Sequence, residues 1–179
     1  MESGEPERAF ADRGARRVVL WTLAGLALGA CLTIVVLRVL HRDSVPTLTP
    51  DLFHAARQRW KANEPADYDL EVRVTGSQPA VYRVEVRGGQ AQAAWRNGQP
   101  LKQRRTFGTW SVPGMFGTIG RDVEAIERRA AGRADPRAPE LTLRAEFDPR
   151  YGYPRRYQRI EWSSPVEVSW EVVEFRLVP

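Results

Sequence analysis

Tyr68 to Arg96 reads YDLEVRVTGSQPAVYRVEVRGGQAQAAWR, and this stretch decides the fold. Tyr68, Leu70, Val72 and Val74 alternate with Asp69, Glu71 and Arg73, the two-residue period of a half-buried strand. Val81 to Arg87 repeats the pattern, with Tyr82, Val84 and Val86 in phase. Gly88-Gly89 is a tight hairpin turn. Gln90 to Arg96 then offers Ala91, Ala93 and Trp95 on one face, and Asn97-Gly98 is a second turn. Three consecutive strands joined this way make an antiparallel meander.

A helix precedes the meander. Thr49-Pro50-Asp51 combines a capping hydroxyl, a proline at the first helical position and an acid in the first turn. Leu52, Ala56 and Trp60 line one face with Phe53 beside them, and the helix stops near Asn63-Glu64-Pro65. A second helix follows the meander. It starts at Ser111-Val112-Pro113, presents Phe116, Ile119, Val123 and Ile126 at helical spacing, pairs Glu124 with Arg128, and ends by Gly132. The glycines of GMFGTIG (Gly114, Gly117, Gly120) are expected to let this helix lie close to the sheet.

Three more strands close the chain. Leu141, Leu143, Ala145 and Phe147 alternate in the first. The stretch FDPRYGYPRRYQRIEW (147–162) turns the chain into the next, with Gly152 at a positive-φ position and Pro154 opening the strand. In VSWEVVEFRLV, Val168, Trp170 and Val172 share one phase and Val173, Phe175 and Leu177 the other. A slip between Val172 and Val173 is what a β-bulge produces. The order helix, three strands, helix, three strands predicts an α+β domain with a mainly antiparallel sheet. Leu52-Phe53 answers Met115-Phe116, so the two halves read as copies of one unit at the level of topology.

The N-terminal region has a different character. Val18 to Leu37 is VVLWTLAGLALGACLTIVVL, 20 residues without a charge. At ~1.5 Å per residue a helix of this length spans the ~30 Å hydrocarbon layer. Arg8, Arg13, Arg16 and Arg17 precede it, and only Arg38 and Arg42 follow closely, which places the N-terminus in the cytoplasm. The expected organisation is a cytoplasmic tail (1–17), a transmembrane helix (18–37), a juxtamembrane linker (38–48) and an extracytoplasmic α+β domain (49–179), held in the cell (inner) membrane. A competing reading of the same segment is a lipobox, Leu28-Gly29-Ala30-Cys31, which makes Cys31 a candidate for lipidation. The residues after Cys31 are LTIVVL, whereas a lipidated cysteine is normally followed by a polar tether. No A-x-A pattern leads from the apolar run into a polar chain, which argues against a cleaved signal peptide.

Composition narrows the function classes. From Ser44 onward there are 21 basic and 17 acidic residues, a mixture of signs rather than the dense positive field of a nucleic-acid binder, so no nucleic-acid partner is expected. Cys31 is the single cysteine of the chain, which excludes an intrachain disulfide and a cysteine metal site. His41 and His54 stand without a second metal-ligand pattern around them, and no cofactor is expected.

Several short motifs occur in one order: Trp60 with Asp67-Tyr68, the strand from Tyr82 to Gly88, Ser111 to Phe116, and above all Asp148-Pro149-Arg150-Tyr151-Gly152-Tyr153-Pro154. In these the chain resembles the bacterial domain-of-unknown-function family six-one-seven-four, over roughly Leu52 to Phe175. The resemblance implies a small secreted, lipidated or membrane-anchored protein and carries no mechanism. A cysteine pair that some members carry in the first hairpin is absent here, so no redox or stapling role transfers.

Chemistry is sparse. There is no G-x-S-x-G and no cysteine outside the anchor segment, so a nucleophilic triad is not expected. Asp67, Asp69 and Glu71 alternate on one strand, and Glu146 and Asp148 on another. Were the two strands adjacent, these acids could bind a cation or act as acid and base. Otherwise they are the wet side of amphipathic strands, balanced by Arg73, Arg83 and Arg87. Arg150, Arg155, Arg156 and Arg159, with tyrosines between and Lys102, Arg104 and Arg105 elsewhere, form a candidate basic surface for anionic headgroups or an anionic envelope polymer. The reading that results is a membrane-anchored protein whose exported domain binds or interacts, with another envelope protein as a candidate partner, and is not an enzyme. Its alternatives are an envelope enzyme using Asp69, Glu146 and Asp148, and an anionic-ligand binder through the basic face.

Overall fold

A computed structural model describes Gly29 and residues 45–162 and 167–179. The predicted transmembrane segment and Cys31 lie outside the described residues. Among the described residues no helix is long and apolar enough to cross a membrane. Val45–Pro179 forms one compact unit.

This unit is an α+β domain with a seven-stranded antiparallel sheet and three helices. Helix α1 is Pro50–Asn63, followed by β1 (Tyr68–Gly76), β2 (Ala80–Arg87), β3 (Gln90–Arg96) and the short β4 (Gln99–Pro100). A 3-10 helix at Arg104–Trp110 leads into α2 (Val112–Ala130), then β5 (Leu141–Phe147), β6 (Pro154–Glu161) and β7 (Glu167–Leu177). The strand order is β4-β3-β2-β1-β7-β6-β5. Two meanders therefore meet along β1 and β7, the first strand of one and the last of the other. The expected likeness of the two halves does not extend to the sheet, because equivalent strands do not occupy equivalent places.

The helix ends form as their sequences dictate. Thr49 Oγ1 accepts from Leu52 N at 3.3 Å, and Ser111 Oγ accepts from Gly114 N at 3.4 Å. Past α2, Gly132 adopts φ 67°, with Gly132 N donating to Arg129 O and Arg133 N to Arg128 O, a Schellman termination. Helix α1 buries Phe53, Ala56 and Trp60; Leu52, expected on the apolar stripe, is 39% exposed. Helix α2 buries Val112, Met115, Phe116, Ile119 and Val123. Both helices pack on the sheet face that carries Tyr68, Leu70, Val72, Val84, Val86, Leu143, Ala145, Tyr157 and Trp170. Tyr68 joins the layers: its ring meets Trp60 edge-on at 5.8 Å and Phe175 at 5.2 Å, and its hydroxyl accepts from Val112 N at 3.3 Å.

Two bulges set the faces. Glu71 opposes Glu174 and Val72 opposes Val172, so Val173 is the extra residue, at the predicted slip. The other was not anticipated: Glu85 opposes Ala93 while Val86 opposes Ala91, leaving Gln92 extra. Ala91 and Ala94 consequently face the core, and Ala93 and Trp95 face the other way, not all on one side with Ala91 as the alternation suggested. Residues 46–48, assigned to the linker from sequence, pair with the outer edge of β5 through Leu48 N to Leu143 O (2.9 Å) and Ala145 N to Pro46 O (3.0 Å), and Leu48 is buried. The glycines of GMFGTIG serve other contacts than the sheet. A Cβ on Gly114 would lie 2.0 Å from Gly108 O in the 3-10 helix, one on Gly120 would lie 3.3 Å from Phe53 Cζ of α1, and one on Gly117 would meet nothing.

The β5–β6 turn is pinned from within and from above. Asp148 Oδ1 accepts from Arg150 N (2.9 Å) and Tyr151 N (2.7 Å), and Gly152 N donates to Asp148 O (2.9 Å). Gly152 has φ 83°, and a Cβ there would lie 2.5 Å from Ala56 O and 2.9 Å from Trp60 N of α1. Gly152→Ala is therefore expected to destabilise the chain by about 3 kcal/mol, combining positive-φ strain with a backbone clash. Gly117→Ala, in open space within α2, is expected to stabilise by about 0.5–1 kcal/mol. Urea unfolding followed by tryptophan fluorescence measures both, and a neutral Gly152→Ala would mean that the turn does not dock on α1 as described.

Candidate functional site

Alternation along the strands sends a second set of side chains to the face opposite the helices, and this is where the charged candidates collect. Register sorts them into rows. Asp69 opposes Glu85 and Arg176; Glu71 opposes Arg83 and Glu174; Arg73 opposes Val81 and Glu171. Glu171 in turn opposes Arg156, which opposes Glu146. The last row thus alternates in sign across four strands. Arg73 Nη1 lies 2.7 Å from Glu171 Oε1, Arg156 Nε 4.0 Å from Glu171 and 3.9 Å from Glu146, and Arg155 Nη1 3.4 Å from Glu146.

The three predicted carboxylates do not converge. Asp69 on β1 and Glu146 on β5 are separated by β7 and β6. The Asp69 side chain is only 12% exposed and is held by Arg87 (2.8 Å) and Arg176 (3.2 Å). Glu146 is occupied by Arg155 and Arg156. Asp148 caps its own turn. Asp67 accepts from Gly88 N at 2.7 Å and so fixes the β2–β3 turn. Among the described residues no group of three or more His, Cys, Asp or Glu side chains could hold a metal ion.

Nor do the four arginines share one surface. Arg156 lies on the open face; Arg155 is the residue left over at the irregularity between Glu146 and Phe147. Arg159 points to the helix side, where it pairs with Asp122 of α2 (3.3 Å) and with Glu161 (2.9 Å). Arg150 lies over the ring of Tyr151, with 5.0 Å from guanidinium carbon to centroid, and has no carboxylate partner among the described residues. Sequence reasoning missed the partner of Arg159: Asp122 also accepts from Tyr157 Oη at 2.6 Å, joining α2 to β6. It also missed a hollow on the open face, lined by Glu71, Val81, Arg83, Trp95 and Gly98. The Gln92 bulge that turns Trp95 toward this hollow leaves no mark in a run of Gln and Ala.

With the geometry in place, comparison with known proteins adds one fact. Residues 52–160 match a family described as "Family of unknown function (DUF6174)". No curated protein matches the chain.

Three of the tyrosines are held protonated by their surroundings. Burial raises the Tyr68 phenol far above its ordinary range. Burial, followed by the Asp122 carboxylate that accepts its hydrogen bond, does the same for Tyr157. Burial and then Asp148 raise Tyr153. The folded state therefore binds these protons more tightly than the unfolded chain, whose tyrosines titrate near pH ~10. This contribution is fully present below that pH and is lost as pH rises through the folded-state values. The urea midpoint is expected to fall above pH ~10, with tyrosinate absorbance of these residues appearing together with unfolding. Tyr157→Phe is expected to reduce the alkaline slope.

Proposed function

This chain belongs to the DUF6174 family, and from its own residues we propose that it is a single-pass membrane-anchored protein whose exported α+β domain binds a partner or ligand without catalysing a reaction. The family description supplies no activity, so the support comes from the chain itself. The observation that carries the binding reading is the occupation of the strand carboxylates. Asp69 is held between Arg87 and Arg176, Glu146 by Arg155 and Arg156, and Asp148 by turn amides. A general base needs a carboxylate within reach of a substrate proton, whereas Asp69 and Glu146 are engaged by arginines at both oxygens and Asp148 by two turn amides at Oδ1. The location rests on the 20-residue uncharged run Val18–Leu37 and the excess of arginine before it. The anionic-ligand alternative retains one specific support, Arg150 above Tyr151 at the β5–β6 turn, which has no carboxylate partner among the described residues.

Location and chemistry are tested separately. Alkaline phosphatase fused after Pro179 is expected to be active in bacterial cells, and β-galactosidase at the same point inactive; the opposite pair overturns the export. The full-length chain in detergent is expected to turn over none of a panel of esters, glycosides, phosphate esters and peptides. Turnover that disappears in Asp148→Asn, with thermal unfolding unchanged, would replace the binding reading by the enzymatic one.

A further inference from the structure

The hollow on the open face has a volume of about 340 Å³ and is walled by Glu71, Val81, Arg83, Trp95 and Gly98. We propose that it is a binding site for a ligand bearing a primary ammonium group. This deepens the binding reading and rests on it, but not on the export of the domain.

The site is built by local backbone features. The bulge at Gln92 turns Trp95 to this face, opposite Arg83. Asn97 (φ 50°) and Gly98 (φ 80°) make the tight turn after β3, and Gly98 contributes a rim without a side chain. Asn97 Oδ1 accepts from Val81 N at 2.8 Å, which ties that rim to the wall beside it.

Charge defines what the hollow accepts. On this face Asp69, Glu85, Glu146 and Glu171 each have an arginine partner. The Glu71 side chain has no ion pair or hydrogen bond among the described residues. Its cross-strand neighbour Arg83 turns instead to Glu85 at 3.2 Å and lies 5.5 Å from the centre of the Trp95 ring. Its other neighbour, Glu174, repeats the negative charge and likewise lacks an ion partner among the described residues. The hollow therefore holds a carboxylate without an ion pair among the described residues, near an indole whose ring already holds the Arg83 guanidinium. The carboxylate favours a positive group, while the ring face is already taken by Arg83. An anion would meet Glu71, with Glu174 beside it across the strand pair, and the wall's one cation, Arg83, is already paired with Glu85.

Shape and valence choose among cations. A guanidinium on the ligand would compete with Arg83 for the same ring. An ammonium is compact and carries three donors, which suits a single carboxylate at the end of a small hollow. A volume at the lower end of ligand pockets suits one sugar ring or one aliphatic side chain, with Val81 and Trp95 against its apolar part. Two sources share this chemistry: a free amino sugar and a lysyl side chain.

Calorimetric titration of the full-length chain in detergent, at low salt, distinguishes them. The probes are glucosamine and lysine amide blocked at its α-amine, each compared with its counterpart acetylated on the remaining amine. Saturable binding of at least one amine is expected, with none for its acetylated form. Binding of glucosamine alone assigns a glycan source, and of the lysine derivative alone a peptide source. Glu71→Gln is expected to weaken binding about tenfold or more, because a charge-assisted hydrogen bond is lost. Its thermal unfolding should be unchanged or raised, since the variant also relieves the repulsion from Glu174. Glu124→Gln, on α2, should leave binding intact. Absence of binding by both amines, equal binding of an acetylated form, or full affinity in Glu71→Gln overturns the site. Such a result leaves the reporter and turnover outcomes standing, so failure here is distinct from failure of the broader reading.

Discussion

The pairing of β1 with β7 is the constraint on which the domain depends. It joins two meanders that would otherwise be separate small sheets, and it does so between residues far apart in sequence: Arg73 and Glu171 are 98 positions apart. Local turns can form each meander, but this central seam must be closed across the whole domain, at the cost of ordering everything between. Apolar contacts below the sheet provide the return. Leu70, Val72 and Trp170 meet along the seam under the two helices, with Phe175 against Tyr68 and Trp60. The bulge at Val173 is what allows this. Without the extra residue, Val172 and Phe175 could not both point toward the core.

The second fixed point is the β5–β6 turn. Its sequence is the most sharply patterned in the chain, and a cluster of an acid, arginines and tyrosines invites a catalytic reading. In the structure Asp148, Gly152, Tyr151 and Tyr153 each carry a mechanical task. Asp148 supplies acceptors to amides that the turn leaves unpaired, Gly152 lets the loop backbone touch the backbone of α1, and Tyr151 and Tyr153 pack on Phe175 of β7. The turn thus holds α1 onto the seam from its far side. A glycine is required there for two independent reasons, positive φ and lack of space.

What the sequence made legible was the local physics. Period-two alternation, hydroxyl caps followed by proline, and paired glycines all appear where those signals place them. The Val172-Val173 bulge was readable because two adjacent branched apolar residues cannot share one face. The Gln92 bulge was not, because Gln-Ala-Gln-Ala-Ala has no strong apolar phase to break, and its consequence was the misplacement of Trp95. The short β4 and the 3-10 helix carry too few residues for any period to register. Partnerships on the open face were beyond reach for a different reason. Asp69 looks free beside Asp67 and Glu71 in the sequence, yet one of its two arginines arrives from β7 at Arg176. Acids that cluster in sequence are dispersed by their partners in space, and register, a non-local property, decides which arginine meets which acid.

The charges of the open face are better understood as determinants of register than as sources of stability. Exposed ion pairs contribute only about 0–1 kcal/mol each. Slippage, however, is penalised at several positions at once: shifting β7 by two residues would bring Glu174 toward Asp69 and remove Glu171 from Arg73. A two-residue slip preserves which face is apolar, so hydrophobic pattern alone cannot forbid it, and charge is the available discriminator. Against that background the opposition of Glu71 and Glu174 stands apart. It places like charges directly across the seam, beside the bulge that the core requires. Among the described residues Glu71 and Glu174 lack the arginine pairing that Asp69, Glu85, Glu146 and Glu171 have, and Glu71 is the one that lines the hollow.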